Sequence, residues 1–189
     1  MNKVLVTGSN GLLGQKLTDL FLKNGDFDLI ATSKGENRHP EKEGYTYTSM
    51  DISKPEDVKQ VITKYQPDII IHTAAMTNVD TCEDEKELCW QLNVTALSYL
   101  IESCQQYDIH LIHLSTDFIF DGANGPYSED AEANPLSYYG KSKLAAEEML
   151  LQSGIRFAIL RTILVYGIVR DMSRSNIVLW AKGALEKGT

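Results

Sequence analysis

Six short apolar runs alternate with segments of helical periodicity along this chain, and that alternation limits its folds more than any other feature. The runs are Val4-Leu5-Val6, Asp28 to Thr32, Tyr45 to Met50, "DIIIHTAA", "IHLIHLST" and "RFAILR". They are continuous rather than alternating apolar with polar, as expected of strands buried on both faces. Between them, Leu13, Leu17, Leu20 and Phe21 recur at helical spacing until Asn24-Gly25. Val58, Val61, Ile62 and Tyr65 mark a second helix, which Pro67 ends and "SKPE" opens as a capping box with Ser53 and Glu56. Leu88, Leu92, Leu97, Leu100, Ile101 and Cys104 give one long helix; two more run from Ser137 to Leu151 and from Ser173 to Lys187. The expected fold is α/β: a doubly wound parallel sheet with helices on both faces and strand order 3-2-1-4-5-6.

Ligands of such sheets bind beyond the carboxyl ends of the strands. After the first strand, "GSNGLLG" places Gly8, Gly11 and Gly14 three residues apart, with Asn10, Leu12 and Leu13 between them and at the start of the helix. Glycines permit a tight turn and close approach, and a helix N-terminus attracts an anion such as a pyrophosphate. A strand-to-helix turn without a ligand has the same composition. After the second strand, Ser33, Lys34 and Arg38 suit the 2′-phosphate of NADP, with NAD as the alternative cofactor; a solvated basic turn reads the same way. Asp51 and Ile52 after the third strand can meet an adenine, or Asp51 can begin the next turn. Thr73, Ala74, Ala75 and Met76 after the fourth are small enough, Met76 apart, for a cofactor to lie against the backbone.

The fifth strand ends in "LSTDFIFDG", with Ser115 and Thr116 at the mouth of the sheet. "YYGKSK" follows, and Tyr139 and Lys143, four apart, share a helix face. A phenol of pKa near 10 is a poor acid–base group, and a neighbouring ammonium is expected to lower it. Such a pair can move a proton at an alcohol or ketone oxygen while a nicotinamide carries hydride. An ordinary helix-surface pair has the same spacing, and Tyr138 and Lys141 compete for the assignment.

Composition excludes other classes. The chain has 189 residues, 43% hydrophobic, enough for one sizeable core. It holds no apolar stretch of roughly 18 residues, so no membrane helix is expected, and its first residues leave no room for a signal peptide. The net charge of −8 argues against the basic face that a nucleic acid or an anionic membrane requires. Cys82, Cys89 and Cys104 read as reduced, half-buried thiols of a cytoplasmic protein. His39, His72, His110 and His113 lack metal-ligand spacing, so no metal is expected; His72 and His113 lie within strands and read as satisfied core residues.

"VTGSNGLLG", "STDFIFDG", "PYSEDAEANPLSYYGKSKLAAEEML" and "LRTILVYG", in that order, resemble the extended branch of the short-chain dehydrogenase/reductase superfamily, and within it the dTDP-4-dehydrorhamnose reductase group. The resemblance spans essentially the whole chain and implies a Rossmann-type, NADP-dependent reductase of a 4-keto nucleotide sugar. Gly8, Gly11 and Gly14 then resemble the family's pyrophosphate turn, and Thr116, Tyr139 and Lys143 its catalytic set. Tyr139 would protonate the sugar oxygen, Lys143 bond the nicotinamide ribose, and Thr116 orient the carbonyl. Asn93 matches a supporting asparagine, and Thr162 follows the sixth strand where cofactor contacts continue. Asp117, Phe118 and Leu164 would line the substrate. Phe118 replaces a usual Tyr and Leu164 a usual Trp, which loosens the tie to a dTDP-sugar. Extended members continue for about another 100 residues. The expectation is therefore a dinucleotide-binding domain at 1–172 and the start of a truncated substrate region at 173–189. A homodimer fits the superfamily, an NAD-dependent epimerase or dehydratase is a second function, and an NADP-binding regulatory subunit without turnover is a third.

Overall fold

A computed structural model describes residues 1–169 and 177–188. The apolar runs become β1 (Asn2–Thr7), β2 (Phe27–Ser33), β3 (Thr46–Ser49), β4 (Ile69–His72), β5 (His110–Thr116) and β6 (Phe157–Thr162). They form one sheet in the order β3-β2-β1-β4-β5-β6, and every adjacent pair is parallel. The expected topology is the observed one. Its register sets Thr7 beside His72 and His72 beside His113, so a polar row crosses the sheet from the carboxyl ends of β1 and β4 to the middle of β5.

Helices α1 (Leu12–Asn24), α2 (Pro55–Tyr65), α3 (Val79–Asp84), α4 (Lys86–Trp90), α5 (Ala96–Tyr107), α6 (Tyr138–Gln152) and α7 (Ile177–Lys187) complete the order. Side chains alternate across a strand, so β1 serves two cores. Leu5 joins Ile30, Ile62, Ile70, Leu97, Leu100 and Leu150 under α2, α5 and α6. Val4 and Val6 join Leu29, Leu17 and Phe21 under α1. Each large aliphatic side chain so buried stabilises the fold by about 1.5–3 kcal/mol before entropy is charged. Burial is thinner at the β6 edge, where Leu160 is half exposed, and Trp180 of α7 also faces solvent.

Three local expectations are refined. The long helix holds from Lys86 to Tyr107 but carries a π-helical turn at Gln91–Thr95, and Glu85 leaves helical geometry and sets α3 apart from it. The capping box does not form. Lys54 holds the N-cap position of α2 ahead of Pro55, and the Ser53 hydroxyl donates to Asp51 Oδ1 instead. The cysteines are fully buried rather than half-buried. At the chain's end α7 begins at Ile177; the expected start at Ser173 and the domain boundary at 172–173 lie outside the described residues. Among the described residues no helix is long and apolar enough to cross a membrane, and no group of side chains could hold a metal ion.

Candidate active site

The glycine turn is built by close approach. Gly8 adopts a left-handed backbone (φ 68°), and a Cβ there would lie 2.8 Å from Ala74 N. At Gly14 a Cβ would run into the Gly8 carbonyl and come within 2.5 Å of Ser9 Cα. These contacts seat the start of α1 directly on the turn. The N-cap, Gly11, has no side chain to satisfy the leading N–H groups at Leu12 and Leu13, and no acid stands in the first turn. The positive end of the helix dipole is thus open to an anion. The buried hydroxyl of Ser9 beside it lacks a hydrogen-bond partner. A pyrophosphate fits this turn in charge, space and donors. The chain past β6 returns to it: a Cβ at Gly167 would lie 3.6 Å from Leu12 Cδ1.

At the β2 and β3 ends, Lys34 and Asp51 meet, Nζ to Oδ2 at 3.1 Å. Burial opposes ionisation of Asp51, but hydrogen bonds from Ser53 and Lys34 outweigh it and hold the carboxyl below its usual range. Ile52 is buried beside it. Arg38 is exposed, Ser33 half-buried, and a cleft of about 660 Å³ runs past Lys34 and Arg38. Asn10 has a structural part in addition to the expected cofactor contact. Its side chain donates one hydrogen to Glu36 O (2.8 Å) and accepts from Arg38 N–H (2.8 Å), so it ties the basic loop to the glycine turn and keeps one amide hydrogen for a cofactor.

After β4, Thr73 and Ala74 present their backbone N–H groups to Thr7 Oγ1, both at 3.2 Å. Ala75 follows half-buried. Met76 is clasped by Asn93, whose side-chain oxygen accepts from Met76 N–H at 2.8 Å and whose amide donates to Met76 O at 3.0 Å. Asn93 also donates to Ser142 Oγ in α6 at 3.0 Å. Asn93 is buried and its amide is consumed by these partners, a supporting position of the kind the resemblance implies. The π-helical turn that carries it has no signature in hydrophobic periodicity.

Ser137 caps α6 by accepting from Gly140 N–H (3.0 Å). A Cβ at Gly140 would run into the Phe118 carbonyl, so α6 lies tight against the turn at Asp117–Ile119. Tyr139 is consequently buried, with its ring edge-on to Phe118 at 5.9 Å between centroids. Tyr138 turns outward onto Trp90 and Lys86, which removes it as a competitor. Thr116 Oγ1 faces the Tyr139 phenol, favouring its ionised form by hydrogen bonding, and also accepts from Phe118 N–H. The expected lowering of the phenol pKa does not occur. Burial pushes it up to about 12 and outweighs Thr116. Lys143 does not reach out to the phenol: its Nζ donates to Leu114 O (2.7 Å) and bonds His113 Nε2 (3.1 Å). Burial lowers the ammonium to about 8, against the opposing pull of Glu147. A phenol so shifted keeps its proton near neutral pH and, until charge arrives beside it, holds it more tightly than a free tyrosine.

Ser115 is buried with its hydroxyl unpaired, and Thr162 donates to the Ser115 carbonyl at 3.2 Å. Asp117 accepts from Thr116, and Leu164 stands half exposed beyond β6. Three participants escaped the sequence reading. Ser9 lies within the glycine motif; His72 is the satisfied core residue expected, bonded to Thr7 Oγ1, whereas His113 is buried with Nδ1 unpartnered. Their pairing is visible only once strand register is known.

A doubly wound sheet, an open glycine turn and a buried Thr–Tyr–Lys set define the extended short-chain dehydrogenase/reductase class. Within it, this chain belongs to the family described as RmlD substrate binding domain, which matches residues 1–181. It is 33% identical over 168 residues to dTDP-4-dehydrorhamnose reductase of Aggregatibacter actinomycetemcomitans, covering 88% of this chain and 53% of that protein. It is also 33% identical over 177 residues to methionine adenosyltransferase 2 subunit beta of Bos taurus, covering 94% and 51%. The crystal structure of dTDP-4-dehydrorhamnose reductase from Bacillus anthracis in complex with NADP superimposes with a TM-score of 0.82 at 28% identity, covering 99% of this chain and 61% of that one. The chain thus spans about half the length of the curated relatives it matches.

Proposed function

We propose that this chain is the cofactor-binding and proton-donating part of an NADP-dependent reductase acting on a 4-keto nucleotide sugar in the cytoplasm. The observation that carries the reading is the convergence of Thr116, Tyr139 and Lys143 at the carboxyl end of β5, with the phenol held protonated by burial. Gly8, Gly11, Leu12, Leu13 and Gly14 would hold the pyrophosphate, and Asp51, Ile52 and the Thr73–Met76 backbone would flank the adenosine and nicotinamide halves. Lys34 and Arg38 favour the 2′-phosphate of NADP over NAD. NADPH, when bound, supplies hydride to the carbonyl carbon. Tyr139 gives its proton to the carbonyl oxygen as the C–O double bond becomes a single bond, so a ketone becomes a secondary alcohol. Thr116 holds that oxygen beside the phenol, and Phe118 and Leu164 offer apolar walls. The tyrosinate formed is stabilised by Thr116 until solvent restores its proton.

NADPH and NADH binding followed by NADPH oxidation against a panel of 4-keto-sugar nucleotides tests this, with Tyr139→Phe in parallel. Turnover that drops by about 10²–10⁴ in Tyr139→Phe is expected for the loss of a general acid. Unchanged turnover in that variant removes Tyr139 as donor. Similarity to a methionine adenosyltransferase subunit favours a second reading, a cofactor-binding subunit without turnover. NADPH binding with no oxidation on any substrate selects it.

A further inference from the structure

The polar row across the sheet ends on the Lys143 amine, and hydrogen-bond counting fixes the protons along it. Thr7 Oγ1 accepts N–H bonds from Thr73 and Ala74, and it lies 2.8 Å from His72 Nδ1. A hydroxyl has one proton, so Thr7 gives it to His72 Nδ1, and the His72 proton sits on Nε2. His72 stacks on His113, ring centroids 5.4 Å apart and planes 28° apart. His113 Nε2 faces Lys143 Nζ at 3.1 Å, and Nζ also donates to Leu114 O. An ammonium has only donors, so Nε2 must accept, and the His113 proton sits on the buried, unpartnered Nδ1. That tautomer leaves a donor without an acceptor, a cost on the order of a lost hydrogen bond. The arrangement persists because the alternative tautomer would point an N–H at the ammonium.

We propose that His113 is a positioning residue for Lys143: as a neutral imidazole protonated on Nδ1 it accepts one ammonium hydrogen. With the Leu114 carbonyl it leaves a single hydrogen for the cofactor. Two fixed hydrogens on a tetrahedral nitrogen determine the direction of the third. His72, locked by Thr7, packs against the imidazole and holds its plane. The row thereby couples the glycine-turn strand and the β4 end to the amine that the reductase reading assigns to the ribose, and the proposal rests on that reading for its kinetic part. Burial and the Lys143 charge keep both histidines neutral. The other titratable groups acting on Lys143 are Glu147, on its own helix, and Cys89 of α4.

Two measurements on the 189-residue chain test the assignment. Nitrogen-15 NMR of the histidine rings, without cofactor or substrate, is expected to show the Nδ1–H tautomer at His113 and the Nε2–H tautomer at His72. A His113 ring protonated on Nε2, or on both nitrogens, at neutral pH overturns the proposal. Kinetically, His113→Leu is expected to lower kcat by about 10- to 100-fold with KM for the sugar nucleotide within about threefold, the pattern of a misaimed group. His113→Gln, whose Oε1 reaches the place of Nε2, is expected to recover kcat to within about threefold of the wild type. Glutamine no better than leucine, in folded protein, refutes positioning by an acceptor. A wild-type chain without turnover sinks the reductase reading alone, while the tautomers still decide the hydrogen-bond assignment.

Discussion

Acidification from about pH 7 to pH 5 should destabilise this fold well before its carboxylates titrate, and His72 is the main cause. Its imidazole is wholly buried, and burial, helped by the Lys143 charge, lowers its pKa from 6.5 to about 3. In the unfolded chain the same ring takes up a proton below its ordinary value. The unfolded state therefore binds more protons between about pH 6.5 and 3, and stability falls with pH across that window. One unfolded-state histidine protonating between pH 7 and 5 is worth about 2 kcal/mol, a large part of a typical total of roughly 5–15 kcal/mol. His113, also pushed well down by burial, acts in the same direction. Lys143 does not interfere: with a folded pKa of about 8 and an ordinary value of 10.5, its contribution changes only between those values. Tyr139, raised to about 12, acts only above its ordinary 10. Urea unfolding at pH 7, 6 and 5 reads the slope directly, and His72→Asn, whose Oδ1 can still accept from Thr7, should flatten it by about 1.4 kcal/mol per pH unit. A stability that is level between pH 6.5 and 5, or a slope unchanged in His72→Asn, would refute the reasoning.

Gly14→Ala should lower the melting temperature sharply, by an overpacking cost of at least about 1–3 kcal/mol, because the new methyl meets backbone at Gly8 and Ser9 rather than a movable side chain. Asn93→Ala strands the N–H and C=O of Met76 and should cost about 2–4 kcal/mol in denaturant unfolding, with cofactor affinity falling alongside. Lys34→Ala combined with Arg38→Ala should weaken NADPH binding by about tenfold or more while sparing NADH, as charge-assisted phosphate bonds are lost; calorimetry of both cofactors checks the difference.

The sheet was readable from the sequence because continuous apolar strands and short crossovers leave few topologies, and the observed order is the expected one. Gly25, left-handed at φ 69° after α1, and Ser137 at the start of α6 show that local end signals also carried through. The turn at Glu85 and the π-helical turn at Gln91–Thr95 were not legible, since the apolar spacing from Leu88 to Cys104 continues across the latter and the former precedes it. The π-helical turn carries Asn93, whose clasp on Met76 is a contact between elements. The Ser53 cap failed for a comparable reason: the Asp51 carboxylate, held by the sheet, captured its hydroxyl. At the site, spacing placed Tyr139 and Lys143 on one face but could not say how deep they lie. Depth reverses the expected phenol shift, and strand register alone reveals that His113 receives the amine.

The π-helical turn also bears on how this chain tolerates changes in length. A π-turn is an α-helix carrying one residue more than its pitch accommodates, with the helix on either side left in place. Removing one residue from Gln91–Thr95 would let an ordinary helix close from Trp90 to Ala96, so Cys89 and Leu97 would keep their buried faces. Only the looped-out portion would be lost, and with it the reach of Asn93 to Met76 and Ser142. A shortened chain would still assemble its sheet and lose the Asn93 bridge from Met76 to α6, so the surplus residue serves the site rather than the scaffold.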